Sequence, residues 1–248
     1  MRRRILAIPV TLLGVFGLAL TPTLASAAPA AGPAWTSGGA MASWSNGGYV
    51  VNNNRWSDDA GPQTIRANSY RHWGVSSKQA STTDVKVYPD VELPYYNTWA
   101  KTPSLKNLVY LRSGFQQYMP AAKDKYIAEA AYDIWLNNWD TEVMLWVDNH
   151  GQVPAGKIVG TYNIYGEKWK LWQDGSGPSG YYAFVLQGKQ QNSGTVHVLS
   201  ALRILAGRGN IPANSTVTDL QFGWEICSTS NVPLQFTVDN YAVWTGLR

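Results

Sequence analysis

The 248-residue chain contains a single cysteine, Cys227. One cysteine excludes both an internal disulfide framework and a zinc site built from cysteines. Only three histidines are present, His72, His150 and His197, and their spacing is not that of metal ligands. We therefore expect no metal and no other cofactor, and a fold that is stabilised by the packing of one sizeable core.

Charged residues are also scarce, at 15% of the chain, and part of the positive charge belongs to the N terminus. Arginines at positions 2–4 precede an apolar stretch at 5–20 and small residues at 25–27, a pattern typical of a secretory signal. We expect residues 1–27 to be removed, leaving a secreted, extracellular protein that is not held at the membrane. The net charge is then (20 − 3) − 16 = +1, which argues against a nucleic-acid partner.

Phenylalanine is rare, with 5 residues, whereas the chain has 12 tryptophans and 14 tyrosines. Aromatic rings that carry a polar atom fit stacking on sugars, although packing in a core explains many of them. From about residue 48 onward, short alternating runs are interrupted by Gly, Pro, Asn and Asp at intervals of roughly 8–15 residues, which is typical of an all-β sandwich or barrel. The predicted strands include 49–51, 84–88, 127–136, 142–147, 168–172, 181–186 and 236–244.

One segment differs from this pattern, because 196–205 has apolar residues at helical spacing and then Gly207. It predicts one short helix. No repeat and no linker divides the chain. We therefore predict an N-terminal tail and first strand region at 28–47, followed by a single domain at 48–248.

Three predicted strands each carry an acid inside an otherwise apolar pattern, where a charge is costly unless it faces a cleft. Alternation groups Glu142 with Met144 and Trp146, Asp133 with Trp135, and Glu225 with Gly223 and Cys227. If these faces meet on one curved sheet, they form a groove with paired carboxylates, the minimum for glycoside hydrolysis. The alternative is that each acid is solvated or salt-bridged on an exposed strand face, and alternation alone does not decide between the two.

The segment Glu142-Val143-Met144-Leu145-Trp146 resembles the nucleophile strand of glycoside hydrolase family 12, the retaining endo-β-1,4-glucanases and xyloglucanases. Segment 131–136 is similar to the strand before it, 48–56 to the family's Asn-Asn-x-Trp segment, and 87–89 to its Tyr-Pro strand. A short helix before a strand with Phe222-Gly223-Trp224-Glu225 matches the position of the family's acid/base. These landmarks follow the family's order across nearly all of 48–248.

The resemblance implies a concave β-jelly-roll sandwich of two antiparallel sheets with an open cleft. It implies that Glu142 is the nucleophile, that Glu225 is the acid/base, and that Asp133 donates a hydrogen bond to Glu142. The substrate-binding residues that we predict are Asn54, Trp56, Met144, Trp146 and Trp135. Retention requires the two glutamates to lie about 5–5.5 Å apart. At the working pH, Glu142 would be ionised and Glu225 protonated, which predicts a bell-shaped rate profile on the acidic side of neutral.

The sequence thus predicts a secreted, monomeric, retaining endoglucanase that cleaves β-1,4 bonds in cellulose-like, mixed-linkage or xyloglucan chains. Its partner would be this β-glucan substrate. A second hypothesis is a secreted jelly roll that binds carbohydrate without turnover, and a third is a structural or inhibitory sandwich with no affinity for glucan. The pair Glu142 and Glu225 separates the first hypothesis from the second, because a pure binding protein needs neither acid.

Overall fold

The structure is a computed structural model that describes residues 32–97, 102–188 and 191–248. The predicted signal segment, 1–27, and the beginning of the predicted tail lie outside the described residues. Within the part that is described, no helix is long and apolar enough to cross a membrane.

The described residues form fifteen strands, one α-helix and two short 3-10 helices. In chain order the strands are β1 Trp35–Ser37, β2 Ser43–Asn46, β3 Tyr49–Asn52, β4 Gln63–Ser69, β5 His72–Ser77, β6 Asp90–Leu93, β7 Leu108–Tyr118, β8 Ile127–Leu136, β9 Thr141–His150, β10 Lys157–Ile164, β11 Glu167–Asp174, β12 Tyr181–Leu186, β13 Ser193–Val196, β14 Val217–Ser228 and β15 Leu234–Leu247. The helix α1 is Val198–Gly207, and the 3-10 helices are Tyr95–Asn97 and Lys123–Lys125.

The strands form two sheets, which confirms the predicted all-β sandwich. The six-stranded sheet has the order β1-β4-β5-β15-β7-β13, and the nine-stranded sheet has the order β10-β11-β12-β9-β8-β14-β6-β3-β2. The prediction of purely antiparallel sheets needs one correction, because β12 pairs with β9 in parallel. Strands β10, β11 and β12 form an antiparallel meander, and its last strand runs in the same direction as β9.

The core lies between the two sheets and is built from alternate residues of each strand, as the period of two in a strand requires. From the nine-stranded sheet it takes Tyr132, Ile134 and Leu136 of β8, Val143, Leu145 and Val147 of β9, and Phe222, Trp224 and Ile226 of β14. These are the faces that the sequence predicted to be buried. The residues between them therefore point away from the core.

The predicted helix is confirmed, although it begins two residues late, at Val198. The strand predicted at 84–88 is wrong, because Val87 makes only an isolated bridge with Ile226. Pro89 follows and has no N–H to donate, so the ladder is interrupted until β6 begins at Asp90.

Candidate active site

The three predicted carboxyl groups lie on three neighbouring strands, with β8 between β9 and β14. Asp133 is paired with Met144 on one side and with Gln221 on the other. Glu142 and Glu225 are carried by the outer two strands, on the same side of the sheet as Asp133. We call this side of β6, β8, β9 and β14, opposite the core, the carboxyl face.

The three carboxyl groups influence one another's ionisation. Burial and the charge of Glu225 raise the pKa of Glu142 from 4.5 to about 7. Burial, followed by the charges of Glu142 and Glu225, raises the pKa of Asp133 well above its usual value. The predicted hydrogen bond from Asp133 to Glu142 is not formed among the described residues, because Asp133 Oδ1 has no partner and Oδ2 accepts from the indole of Trp135. Groups that interact this strongly bind protons as a unit rather than singly. The sheet has therefore brought the three predicted acids, the carboxyl cluster, close enough for their charges to raise the pKa values of Glu142 and Asp133.

The pKa of Glu142 is raised, whereas the predicted nucleophile role requires this residue to be ionised at the working pH. Burial disfavours the charged form of Glu142, so its own pKa rises. The charge of Glu225 adds to this effect, because a second negative charge nearby makes the ionisation of Glu142 less favourable. The state that a retaining mechanism uses is the one with the proton on Glu225 and Glu142 ionised.

Sequence analysis missed four further acids on the carboxyl face, Asp90, Glu92, Glu129 and Asp219. Glu129 is paired directly with Glu225 across the two strands and is fully buried. Burial and the nearby Glu225 raise the pKa of Glu129 well above normal. The signal was available, because Glu129 lies an even number of residues before Asp133, as Asp219 does before Glu225.

Burial likewise raises the pKa of Asp219, to about 9, with the charge of Glu92 as the next cause. Asp90 is fully buried, and burial raises its pKa despite two amide donors. The carboxyl face therefore holds several protons at neutral pH, because ionising all of these groups together would be very unfavourable.

Met144 and Trp146 lie on the carboxyl face, but each is only 1% exposed. With Ala131 and Ala183 they form a small apolar cluster of their own. The indole Nε1 of Trp146 donates to the Met144 sulfur at 3.4 Å, and the Tyr181 hydroxyl donates to the same sulfur at 3.3 Å. The two side chains are thus buried beneath the carboxyl face, and partly exposed neighbours such as Tyr181 form the surface there.

Asn54 and Trp56 lie beyond β3, at the other side of the carboxyl face. Asn54 has a φ of 36°, and its Nδ2 donates to Asp90 Oδ2 at 3.3 Å. Asp90 is paired with Gly223, two residues before Glu225, so Asn54 is linked through Asp90 to the strand that carries Glu225. Trp56 is 54% exposed, which leaves its ring free for a ligand.

Gly223 is required where β6 approaches β14. A Cβ at this position would lie 2.0 Å from the carbonyl oxygen of Pro89, which no side chain can tolerate. The glycine therefore allows the segment that carries Asp90 to lie directly against the Glu225 strand. This is a packing reason for the Gly that the sequence places two residues before the acid.

Trp135 is half-buried and is fixed by its own neighbour, because its Nε1 donates to Asp133 Oδ2 at 3.0 Å. Its ring contacts Trp139, at a centroid distance of 5.7 Å, and Trp139 contacts Tyr96 at 5.5 Å. Sequence analysis missed Trp139 and Tyr96, because neither lies in an alternating strand pattern.

Cys227 is fully buried, and burial raises the pKa of its thiol to about 12. It is a packed side chain and not a nucleophile. Across the described ranges, no group of three or more His, Cys, Asp and Glu side chains is arranged to hold a metal ion.

Comparison with known proteins gives a consistent family. The profile described as glycosyl hydrolase family 12 matches residues 47–245. The chain resembles the xyloglucanase domain of NopAA, a type three effector from Sinorhizobium fredii solved with cellobiose, at 29% identity and a TM-score of 0.76, over 86% of this chain and 100% of that one. A family 12 xyloglucanase from Bacillus licheniformis shares the fold, at 24% identity and a TM-score of 0.73, over 86% of this chain and 100% of that one.

Two curated relatives differ in activity. Endoglucanase S of Pectobacterium parmentieri is 28% identical over 163 residues, covering 56% of this chain and 61% of the relative, so the match spans about three fifths of that protein. The inactive glycoside hydrolase XLP1 of Phytophthora nicotianae (strain INRA-310) is 24% identical over 213 residues, covering 79% of this chain and 86% of the relative.

Proposed function

The chain belongs to glycosyl hydrolase family 12, and from this premise we propose that it is an endo-acting, retaining enzyme that cleaves β-1,4-glucosidic bonds in β-glucans. The observation that supports the proposal most is the placement of Glu142, Asp133 and Glu225 on one face of three neighbouring strands, where nearby carboxylates raise the pKa values of Glu142 and Asp133. A sugar-binding protein has no need of carboxyl groups with raised pKa values at the centre of its binding surface.

In the first step, a carboxylate oxygen of Glu142 attacks the anomeric carbon, and the glycosidic bond breaks. Glu225 transfers its proton to the departing oxygen, so one chain end leaves and a glycosyl ester on Glu142 remains. In the second step, ionised Glu225 takes a proton from water while the water oxygen attacks the same carbon. The ester bond breaks, Glu142 is released as a carboxylate, and the net reaction consumes one water.

Asp133 would act by remaining protonated. Burial raises its pKa well above normal, which favours the protonated form of Asp133. A neutral carboxyl group can donate a hydrogen bond to a carboxylate, whereas two carboxylates would repel each other. Asp133 would thus stabilise the ionised form of Glu142 without adding a charge next to it.

The second candidate is a jelly roll that binds β-glucan without turnover. It is favoured by one observation, the similarity to a relative that is named inactive. It does not explain why this chain carries both Glu142 and Glu225, so we place it second. Secretion directed by residues 1–27 and a monomeric state also remain proposals from the sequence.

The test is the release of reducing ends from barley β-glucan, xyloglucan and carboxymethylcellulose by the parent, Glu142→Gln and Glu225→Gln. Glu167→Gln is the matched control, because Glu167 is the first residue of β11 and accepts a hydrogen bond from Gln191 rather than from a residue of the carboxyl face. We expect both cluster variants to lose activity by at least about a thousandfold while the control keeps it. A parent that binds glucan but releases no reducing ends would establish the second candidate. The ranking of the three polymers would identify the substrate.

A further inference from the structure

The turn between β8 and β9 has an unusual backbone. Asn137, Asn138 and Trp139 have φ values of 53°, 59° and 72°, so three successive residues are left-handed. Asparagine tolerates this conformation, whereas a bulky aromatic residue rarely adopts it. Trp139 is also 41% exposed. The turn therefore carries a strained backbone and an exposed apolar ring at the same residue, and both features are unfavourable for folding.

The surrounding structure holds the turn in place. The N–H of Asn137 donates to the Thr216 carbonyl at 2.9 Å, and the N–H of Thr216 donates to Asn137 Oδ1 at 3.0 Å. The N–H of Asn138 donates to Thr218 Oγ1 at 2.7 Å. Strain that is fixed by several contacts from outside the turn is typical of positions with a function.

The position of Trp139 indicates what that function is. Its ring lies between Trp135 and Tyr96, and both outer rings are anchored on the carboxyl face. The Trp135 indole donates to Asp133, and the Tyr96 hydroxyl donates to Glu92 Oε1 at 2.7 Å. Tyr96 is itself 45% exposed. The three rings, which we call the aromatic row, thus extend from the carboxyl cluster to the rim of the sheet.

We propose that the aromatic row is an additional sugar subsite, in which Trp139 stacks on a glucosyl unit of the bound β-glucan and Tyr96, inclined to Trp139 by 58°, contacts the edge of that unit. The proposal rests on the function above, because it is continuous with the carboxyl cluster through Trp135 and Asp133. The C–H faces of a glucosyl ring are apolar and pack on aromatic rings, while its hydroxyl groups remain in water. A sugar in this position would cover the surface that Trp139 leaves exposed.

The chain offers a matched control in Tyr165, which occupies the turn between β10 and β11. Tyr165 is also aromatic, left-handed with a φ of 51°, and 73% exposed. Its ring stacks on His197 at 3.4 Å, next to the start of α1, and not on the carboxyl face. Replacing Tyr165 therefore relieves the same kind of strain without touching the aromatic row.

The experiment measures binding of cellohexaose by calorimetry in a Glu142→Gln background, so that no turnover interferes. We expect Trp139→Asn to weaken binding about tenfold or more, while its thermal midpoint stays the same or rises because Asn tolerates a positive φ. Trp139→Phe keeps a ring and should retain most of the affinity. Tyr165→Asn should leave the affinity unchanged.

Unchanged affinity in Trp139→Asn would overturn the proposal, and so would an equal loss in Tyr165→Asn. A loss in Trp139→Phe as large as in Trp139→Asn would show that stacking is not responsible. These outcomes are distinct from a failure of the proposed function, which is read from reducing ends released by the parent. If the parent hydrolyses glucan and all variants bind cellohexaose equally well, the proposed function is supported and the proposed subsite is overturned.

Discussion

Replacing Glu142 with Gln should stabilise the folded protein at alkaline pH while abolishing its proposed activity. The pKa of Glu142 is raised from 4.5 to about 7, so the folded state holds this proton more tightly than the unfolded state does. The stabilisation of the folded state by this proton is therefore fully present below pH 4.5 and is lost as the pH rises toward about 7. At 1.36 kcal/mol per unit, a shift from 4.5 to about 7 makes the loss at most about 3.4 kcal/mol.

Glutamine does not ionise, so the variant should not lose this stability as the pH rises. We expect Glu142→Gln to raise the free energy of unfolding by about 1–3 kcal/mol at pH 8 and by little at pH 4, since coupling within the cluster spreads the effect. Urea unfolding at both pH values measures it, with Asp239→Asn, an exposed acid of β15, as the control. An equal effect of Glu142→Gln at pH 4 and pH 8 would refute the reasoning.

Three further outcomes are expected. The kcat/KM on barley β-glucan should rise as the pH approaches about 7, because Glu142 must lose its proton to act as the nucleophile, and a flat profile between pH 4 and 8 would contradict the assignment. Gly223→Ala should destabilise the fold by about 3 kcal/mol or more, because the added Cβ meets the Pro89 carbonyl oxygen, and an unchanged thermal midpoint would argue against that contact. Gly207→Ala, with open space around its Cβ, is the control and should be neutral or mildly stabilising. Cys227, fully buried, should react with a thiol reagent only after denaturation, so rapid labelling of the native protein would show that β14 opens.

The strands that alternation marks most clearly could be predicted closely from the sequence. Segments 127–136 and 181–186 have the same bounds as β8 and β12. The faces of β8, β9 and β14 also follow alternation, because a period of two leaves only one way to bury an apolar set. The strand predicted at 84–88 was wrong, because the apolar alternation was present but Pro89 interrupted the hydrogen-bond ladder.

The chemistry of the site could be predicted only in part. The three acids could be named from their strands, but the direction of the Glu142 pKa shift required its burial and its neighbours. Trp139 could not be found from sequence pattern, because a left-handed turn that presents a tryptophan depends on hydrogen bonds from residues 216 and 218, far along the chain. The parallel pairing of β12 with β9 is likewise set by the arrangement of a whole meander and leaves no local signal.

We expect the carboxyl face also to discriminate among polysaccharides by their charge. Within the described residues, the ion pairs that form involve none of its carboxyl groups, so no lysine or arginine neutralises them at close range. A polysaccharide with uronic acids or sulfate groups would place negative charges next to the carboxyl groups of this face. Each close approach of like charges is unfavourable. We expect neutral chains to be accepted and polyanions rejected, with discrimination that grows as the pH rises and the face releases its protons. The rate of hydrolysis of carboxymethylcellulose should therefore fall furthest below that of barley β-glucan at the alkaline end of the activity range. Added salt should reduce this difference in rate.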